Sequence, residues 1–242
     1  MEAPTSLVLF DIDGTLLRRA GPHHRQALED AVLRVTGQAA STDGIPVAGM
    51  LDGQILSLMM AAAGLKQADV RRHLPDIMRE AQNLYVRRCP DLRGKVCPGV
   101  RTTLSRLARG QAVVGLVTGN LSRIAWKKMD RAGLKRHFRF GVFAEQGRSR
   151  AQLIRTAVRE ARREGWVRRG SVITMVGDHP NDILAAREAG VRCLAVGTGI
   201  VALQDLALHR PDRLAADLRE VDPEWLLGEG RWQTGAAVGG VF

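Results

Sequence analysis

Leu7-Val8-Leu9-Phe10-Asp11-Ile12-Asp13-Gly14-Thr15-Leu16 carries two acids directly behind an unbroken apolar run. Four consecutive apolar residues suit a strand buried on both faces of a parallel sheet, where alternation is lost. Residues two apart on extended backbone project to one side, so Asp11 and Asp13 can face a common crevice at the strand's carboxyl end. Ligands of open α/β sheets bind in that place. Asp followed by Gly is also ordinary punctuation after a strand, with Asp11 as a helix cap and Asp13-Gly14 as a turn. What decides between these readings is whether other strands further along end in chemically matching groups.

They do. Ala112 to Val117 is a second apolar run and stops at Thr118-Gly119-Asn120. A hydroxyl, a glycine that permits close approach and amides at a helix start are good phosphate donors. Ser171 to Val176 is a third run, followed by Gly177-Asp178-His179-Pro180-Asn181-Asp182 and an Ala-rich helix that ends at Gly190. Asp178 and Asp182 can point into one crevice, with His179 read as a turn residue. Shorter runs at Gly141 to Ala144, Val191 to Val196 and Arg213 to Ala216 complete a strand and helix alternation. Arg148 to Arg169 reads as an amphipathic helix with Leu153, Ile154, Ala157, Val158 and Ala161 on its apolar side.

Between residues 17 and 94 nothing reads as a buried strand; the periodicity is helical, apart from an irregular stretch over residues 38–51 rich in Gly, Ser, Thr and Pro. One helix spans His23 to Val35, a second opens at Asp52-Gly53 and runs to Gly64, and a third starts near Asp69 and contains Leu84 and Tyr85. Pro75 should kink or divide the third. Capping preference makes Asp52 the N-cap of the second. The fold class is therefore α/β, a Rossmann-like parallel-sheet core carrying an inserted all-helical segment.

Composition sets outer limits. The 242 residues are 45% hydrophobic and 25% charged, ordinary for a folded chain. The strongly apolar stretch Ile55 to Leu65 is too short for a bilayer, so no membrane association is expected. Cys89, Cys97 and Cys193 form no metal-type pair, which favours free thiols and a cytoplasmic location. The net charge of +11 raises nucleic acid as a partner. However, the excess is spread along the chain without interleaved aromatics, and nucleic-acid binding is not expected.

Asp-Ile-Asp-Gly-Thr-Leu after the first strand, Thr118 after the second and Gly-Asp-x-x-x-Asp after a later one together resemble the haloacid dehalogenase-like superfamily. Within it, the chain is similar to phosphoglycolate phosphatases. The resemblance implies a discontinuous core of residues 1–16 and 95–227, a helical C1-type cap over residues 17–94, and a Gly-rich tail, 228–242, that stays mobile unless Trp232 or Phe242 packs back. It implies Asp11 as the nucleophile that forms an aspartyl-phosphate on a small-molecule phosphate ester, and Asp13 as acid and base. That role needs a raised carboxyl pKa, expected from neighbouring acids and cap closure. Mg²⁺ is implied on Asp11, Asp178 and the Asp13 carbonyl, with Asp182 in support. Thr118, Gly119, Asn120 and a basic residue are implied for the phosphate. The family commonly places Lys there; no Lys follows Lys135, and Arg150 fits best by position, with Arg148 as the other register.

Asp13 separates the branches of this superfamily. Dehalogenases lack an acid at that position, and neither Lys66 nor Lys95 sits as the Schiff-base lysine of phosphonoacetaldehyde hydrolases does. The expectation is a Mg²⁺-dependent phosphatase, monomeric or homodimeric. A phosphosugar mutase of the same fold and a non-catalytic regulatory scaffold are the alternatives, the second opposed by four crowded acids.

Overall fold

The computed structural model describes residues 6–18 and 21–228. The expectation for the tail concerns residues that, beyond Gly228, lie outside the described ones. β1 (Leu7–Phe10) is followed by three helices, α1 (His23–Thr36), α2 (Asp52–Ala62) and α3 (Gln67–Arg88). Then α4 (Val100–Arg109), β2 (Val113–Val117), α5 (Ser122–Arg131), β3 (Phe140–Val142) and α6 (Arg150–Arg163) alternate. β4 (Ile173–Gly177), α7 (Pro180–Ala189), β5 (Arg192–Val196), α8 (Leu203–Leu208), β6 (Arg213–Ala215) and α9 (Pro223–Leu227) follow. All strand pairings are parallel, in the order β3-β2-β1-β4-β5-β6. This is the Rossmann-like α/β sheet that the apolar runs imply.

β1 lies at the centre because all four of its side chains can be buried, two on each face. Phe10 pairs with Leu116 of β2 and with Val176 of β4, so the residues after these three strands emerge side by side. Leu9 has no exposed surface, and Leu9→Ala should cost about 2–5 kcal/mol in a urea melt, through lost transfer energy plus an unfilled cavity. The helix α6 buries the five apolar residues expected of it, and Arg150 in addition.

The helices α1 and α3 pack along each other, with α2 against α3, and α3 also contacts α5. Their shared interior includes Leu28, Met59, Ile77 and Tyr85. Two local expectations meet the structure here. Pro75 does not divide α3, which runs as one element from Gln67 to Arg88. Pro75 and Arg71 are both exposed, so solvent can serve the Arg71 carbonyl that the missing N–H leaves free. Asp52 is the first residue of α2 rather than its cap; Leu51 holds the cap position, and the Asp52 side chain turns elsewhere. Among the described residues no helix is long and apolar enough to cross a membrane.

Candidate active site

Asp11 follows β1 and Asp178 follows β4, while Asp182 enters from the first turn of α7. All three are buried, and each can offer a carboxylate oxygen within 4.8 Å of the others. The opening of α7 explains how Asp182 is held. Its Oδ2 accepts from the His179 N–H at 3.1 Å, and His179 Nδ1 in turn accepts from the Asn181 N–H at 3.2 Å. His179 is thus the helix cap, in keeping with its reading as a turn residue.

Arg150 is the cation of this cluster. Ser149 caps α6 by accepting from the Gln152 N–H at 3.2 Å, which sets Arg150 as the first helical residue. Its Nη1 lies 3.1 Å from Asp11 Oδ1 and 2.8 Å from Asp182 Oδ1. Both contacts are ion pairs without hydrogen-bond geometry, so among the described residues these two oxygens have no hydrogen-bond donor. Arg148 is exposed, and of the two arginines it is Arg150 whose side chain lies beside the acids.

One guanidinium faces three buried carboxylates. Burial, then repulsion from Asp182 and Asp11, pushes Asp178 up to about 8, although it accepts from the Thr15 hydroxyl at 2.8 Å. Burial also pushes Asp182 up, to about 6, against the pull of Arg150. Two oxygens without donors and a carboxylate held above its normal range fit a hard divalent cation, which prefers oxygen ligands. A consequence for stability follows. An acid raised by folding costs nothing while protonated in both states, below the unfolded value near 3.8; the cost grows until pH passes about 8. Metal-free protein should therefore melt lower as pH rises from 5 to 8. Asp178→Asn should flatten that slope, and Mg²⁺ should raise Tm more at pH 8 than at pH 5. A set of thermal melts with and without chelator checks all three.

The Asp13 carboxylate faces a different neighbourhood. Its side chain is 41% exposed towards the crevice, and its oxygens accept from Lys128 Nζ at 2.6 and 2.8 Å and from Asn120 Nδ2 at 2.8 Å. Burial would raise this carboxyl, but Lys128, His24 and Asn120 outweigh it and hold it below the usual range. The expectation that neighbouring acids raise Asp13 is thus corrected: its close neighbours are a cation and an amide.

Asn120 is held by both partners. Its side-chain oxygen accepts from Lys128 at 2.6 Å, and its amide nitrogen also donates to the Thr118 hydroxyl at 2.9 Å. Thr118 is fully buried beneath it. Lys128 was not singled out from the sequence, yet a signal was there. It falls on the apolar stripe of α5 with Ile124, Ala125 and Met129, where an unpaired lysine would be untenable.

Two glycines permit close approaches. Gly14 has φ +89°, and a Cβ there would lie 2.1 Å from Asp178 Oδ2, so both backbone and space demand glycine. A Cβ on Gly119 would lie 2.2 Å from the Met50 carbonyl oxygen, and the Asp52 N–H donates to the Gly119 carbonyl at 2.8 Å. Sequence reasoning reserved that approach for a ligand; in the structure the chain ahead of α2 makes it. A cavity of about 700 Å³ opens over the acids, bordered by Arg18, Lys95 and Arg25 as well as by Asp11, Asn120 and Arg150.

Known proteins share this fold and much of the chain's length. A phosphoglycolate phosphatase of Pseudomonas aeruginosa is 28% identical over 229 residues, which are 90% of this chain and 78% of the relative. Among solved structures, CbbY from Rhodobacter sphaeroides in complex with phosphate aligns over 93% of this chain and 99% of its own, with a TM-score of 0.66 at 19% identity. A β-phosphoglucomutase from Clostridium difficile aligns over 93% of this chain and 96% of its own, with a TM-score of 0.67 at 14% identity. The family model of haloacid dehalogenase-like hydrolases matches residues 5–190, and the chain belongs to that family of enzymes.

Proposed function

We propose that this hydrolase is a Mg²⁺-dependent phosphatase that cleaves a small-molecule phosphate monoester through an aspartyl-phosphate on Asp11. The observation that carries the reading is the cluster of Asp11, Asp178 and Asp182 around Arg150 at the ends of adjacent strands. The relatives named phosphoglycolate phosphatase support a small acidic ester as substrate, at low identity.

In this reading Asp11 attacks phosphorus, and Arg150 offsets the repulsion between that carboxylate and the phosphoryl oxygens. Asp11, Asp178 and the Asp13 carbonyl would hold Mg²⁺, with Asp182 orienting the set. Bound there, the cation supplies charge neutralisation at the phosphoryl oxygens. Gly119 and Asn120 border the cavity on the phosphate side in this reading, with Thr118 buried behind Asn120 and supporting it. Asp13 gives a proton to the departing oxygen and later takes one from water. Since the protein holds Asp13 as a carboxylate, it must gain its proton with the dianionic ester in place, whose charge favours protonation. The helices of residues 17–94 serve as the cap over a core formed by residues 1–16 and 95–227. The three cysteines are buried free thiols, which supports the cytoplasmic location.

A phosphosugar mutase would keep the same acids, and a cavity of about 700 Å³ has room for a sugar phosphate. One experiment separates the two. Wild-type protein is given phosphoglycolate, hexose phosphates and glycerol phosphates, with Mg²⁺ or with EDTA, and free phosphate is followed together with isomerised sugar phosphate. Mg²⁺-dependent release of one phosphate per ester consumed is the expected result. Isomerisation without release would turn the reading to the mutase, and neither product would remove both.

A further inference from the structure

Lys128 is 1% exposed, and its ammonium lies within 3.3 Å of four polar atoms from three residues. These are both Asp13 oxygens, Asn120 Oδ1 and His24 Nδ1. An ammonium has three protons, and these three residues take them all. Lys128 therefore has none left for a substrate phosphate, and it is not the phosphate-site lysine missing from the usual place. That place belongs to Arg150, which pairs with Asp11 and Asp182 instead.

The third partner reaches outside the sheet. His24 belongs to α1, and Lys128 carries no acceptor, so Nδ1 must accept and the ring proton sits on Nε2. Nε2 faces Asp52 Oδ2 at 3.0 Å, on α2, and the same oxygen accepts from the Leu121 N–H at 2.8 Å. Asp52 is itself buried, and Tyr85 of α3 packs edge-on against the His24 ring, centroids 5.6 Å apart. One continuous polar path thus runs from the start of α2 through α1 and α5 to the Asp13 carboxylate.

We propose that Lys128 is the positioning residue for Asp13, and that His24 and Asp52 make this positioning conditional on α1 and α2 lying against the core. When the helices dock, His24 completes the ammonium's third bond and Asp52 closes on Leu121. Without His24, Lys128 keeps its two other partners, Asp13 and Asn120, but its ammonium is held less firmly in place. The proton donor is thereby steadied in part by residues of α1 and α2. This rests on the phosphatase reading for its chemistry, but the path itself is independent of it.

The test compares esters whose leaving groups need a proton to different degrees. Glycerol 2-phosphate must leave as an alcohol, whereas p-nitrophenyl phosphate leaves as a stable phenolate. In Lys128→Met, kcat/KM for glycerol 2-phosphate should fall about 100-fold, within the range for a lost general acid. For p-nitrophenyl phosphate it should fall less than about 5-fold, since that bond breaks without proton donation. Asp52→Asn, which leaves the Lys128–Asp13 pair intact, should show the same selectivity at smaller size and serves if Lys128→Met does not fold. Equal losses on both esters, or none, overturn the proposal.

If wild type turns over neither of these two esters, hydrogen exchange decides, while the phosphatase reading stands or falls with the wider ester panel. Exchange in residues 23–36 and 52–62 should speed about 10-fold in the variants, with α6 and α7 unchanged. Unaltered exchange, or a uniform rise along the chain, would overturn the proposal as well.

Discussion

Asp11→Asn should lower turnover at least ~10⁴-fold, as expected for the loss of a covalent nucleophile that works as one unit with its neighbours. The size of the effect follows from the geometry around it. A neutral amide cannot form the acyl phosphate, and no other carboxylate is placed to substitute. Asp178 lies under Gly14 and is tied to Thr15, Asp182 is tied into α7, and Asp13 is held by Lys128. Acid-quenched wild type, incubated with labelled ester and Mg²⁺, should retain label on protein that mild alkali releases; the variant should retain none. Label on Asp11→Asn at wild-type level would mean that the acceptor lies elsewhere.

Arg150→Met should be the most destabilising of the site substitutions, by about 3–5 kcal/mol, since it leaves buried carboxylates without their cation. For a chain of this size that is a fall in Tm of roughly 6–20 °C. The direction depends on medium in a way that a packing defect would not. Lowering the pH to 5 should restore part of the loss, because Asp178 and Asp182, already raised to about 8 and about 6, then bind protons. Mg²⁺ should restore part of it at pH 8. Arg150→Lys keeps the charge but cannot span Asp11 and Asp182 with one planar group, and should fall between wild type and Arg150→Met. Melts at pH 5 and pH 8, each with chelator and with Mg²⁺, distinguish these outcomes. A loss of the same size in all four conditions would assign Arg150 a packing role alone.

The order of strands, the acids behind them and the helical run between β1 and β2 were legible because each rests on a local pattern. Leu7 to Phe10 suits a strand with both faces covered, and the spacing of Asp178 and Asp182 suits a strand end and a first helical turn. The other half of the site was not legible, since its contacts join residues that no local pattern connects. His24 meets Lys128, and Asp52 meets the Leu121 amide, only after α1 and α2 fold back over the sheet. Capping preference therefore misplaced Asp52: its carboxylate is more useful to another helix's first amide than to its own. In the same way Asp13 was expected to sit among acids because Asp11 is two residues away. Successive turns of backbone instead aim the two carboxylates at different cations, Arg150 for one and Lys128 for the other. Pro75 shows the opposite limit, where a strong local rule yields to an exposed position and the packing of α3 on α1.

The central place of β1 also bears on the chain's synthesis. Leu7 is hydrogen-bonded neighbour to strands that begin at Val113 and Ile173, so β1 is made well before either of its partners. At about 5–20 residues per second, roughly 10–30 s separate the emergence of β1 from that of β4. Through that interval an apolar segment with unpaired backbone, on both edges until β2 emerges and on one edge afterwards, must be kept from pairing with another chain. The helices that follow it in sequence make mostly local contacts and can fold during the wait. Slow refolding from denaturant, with yield falling as protein concentration rises, is the behaviour such a connectivity imposes.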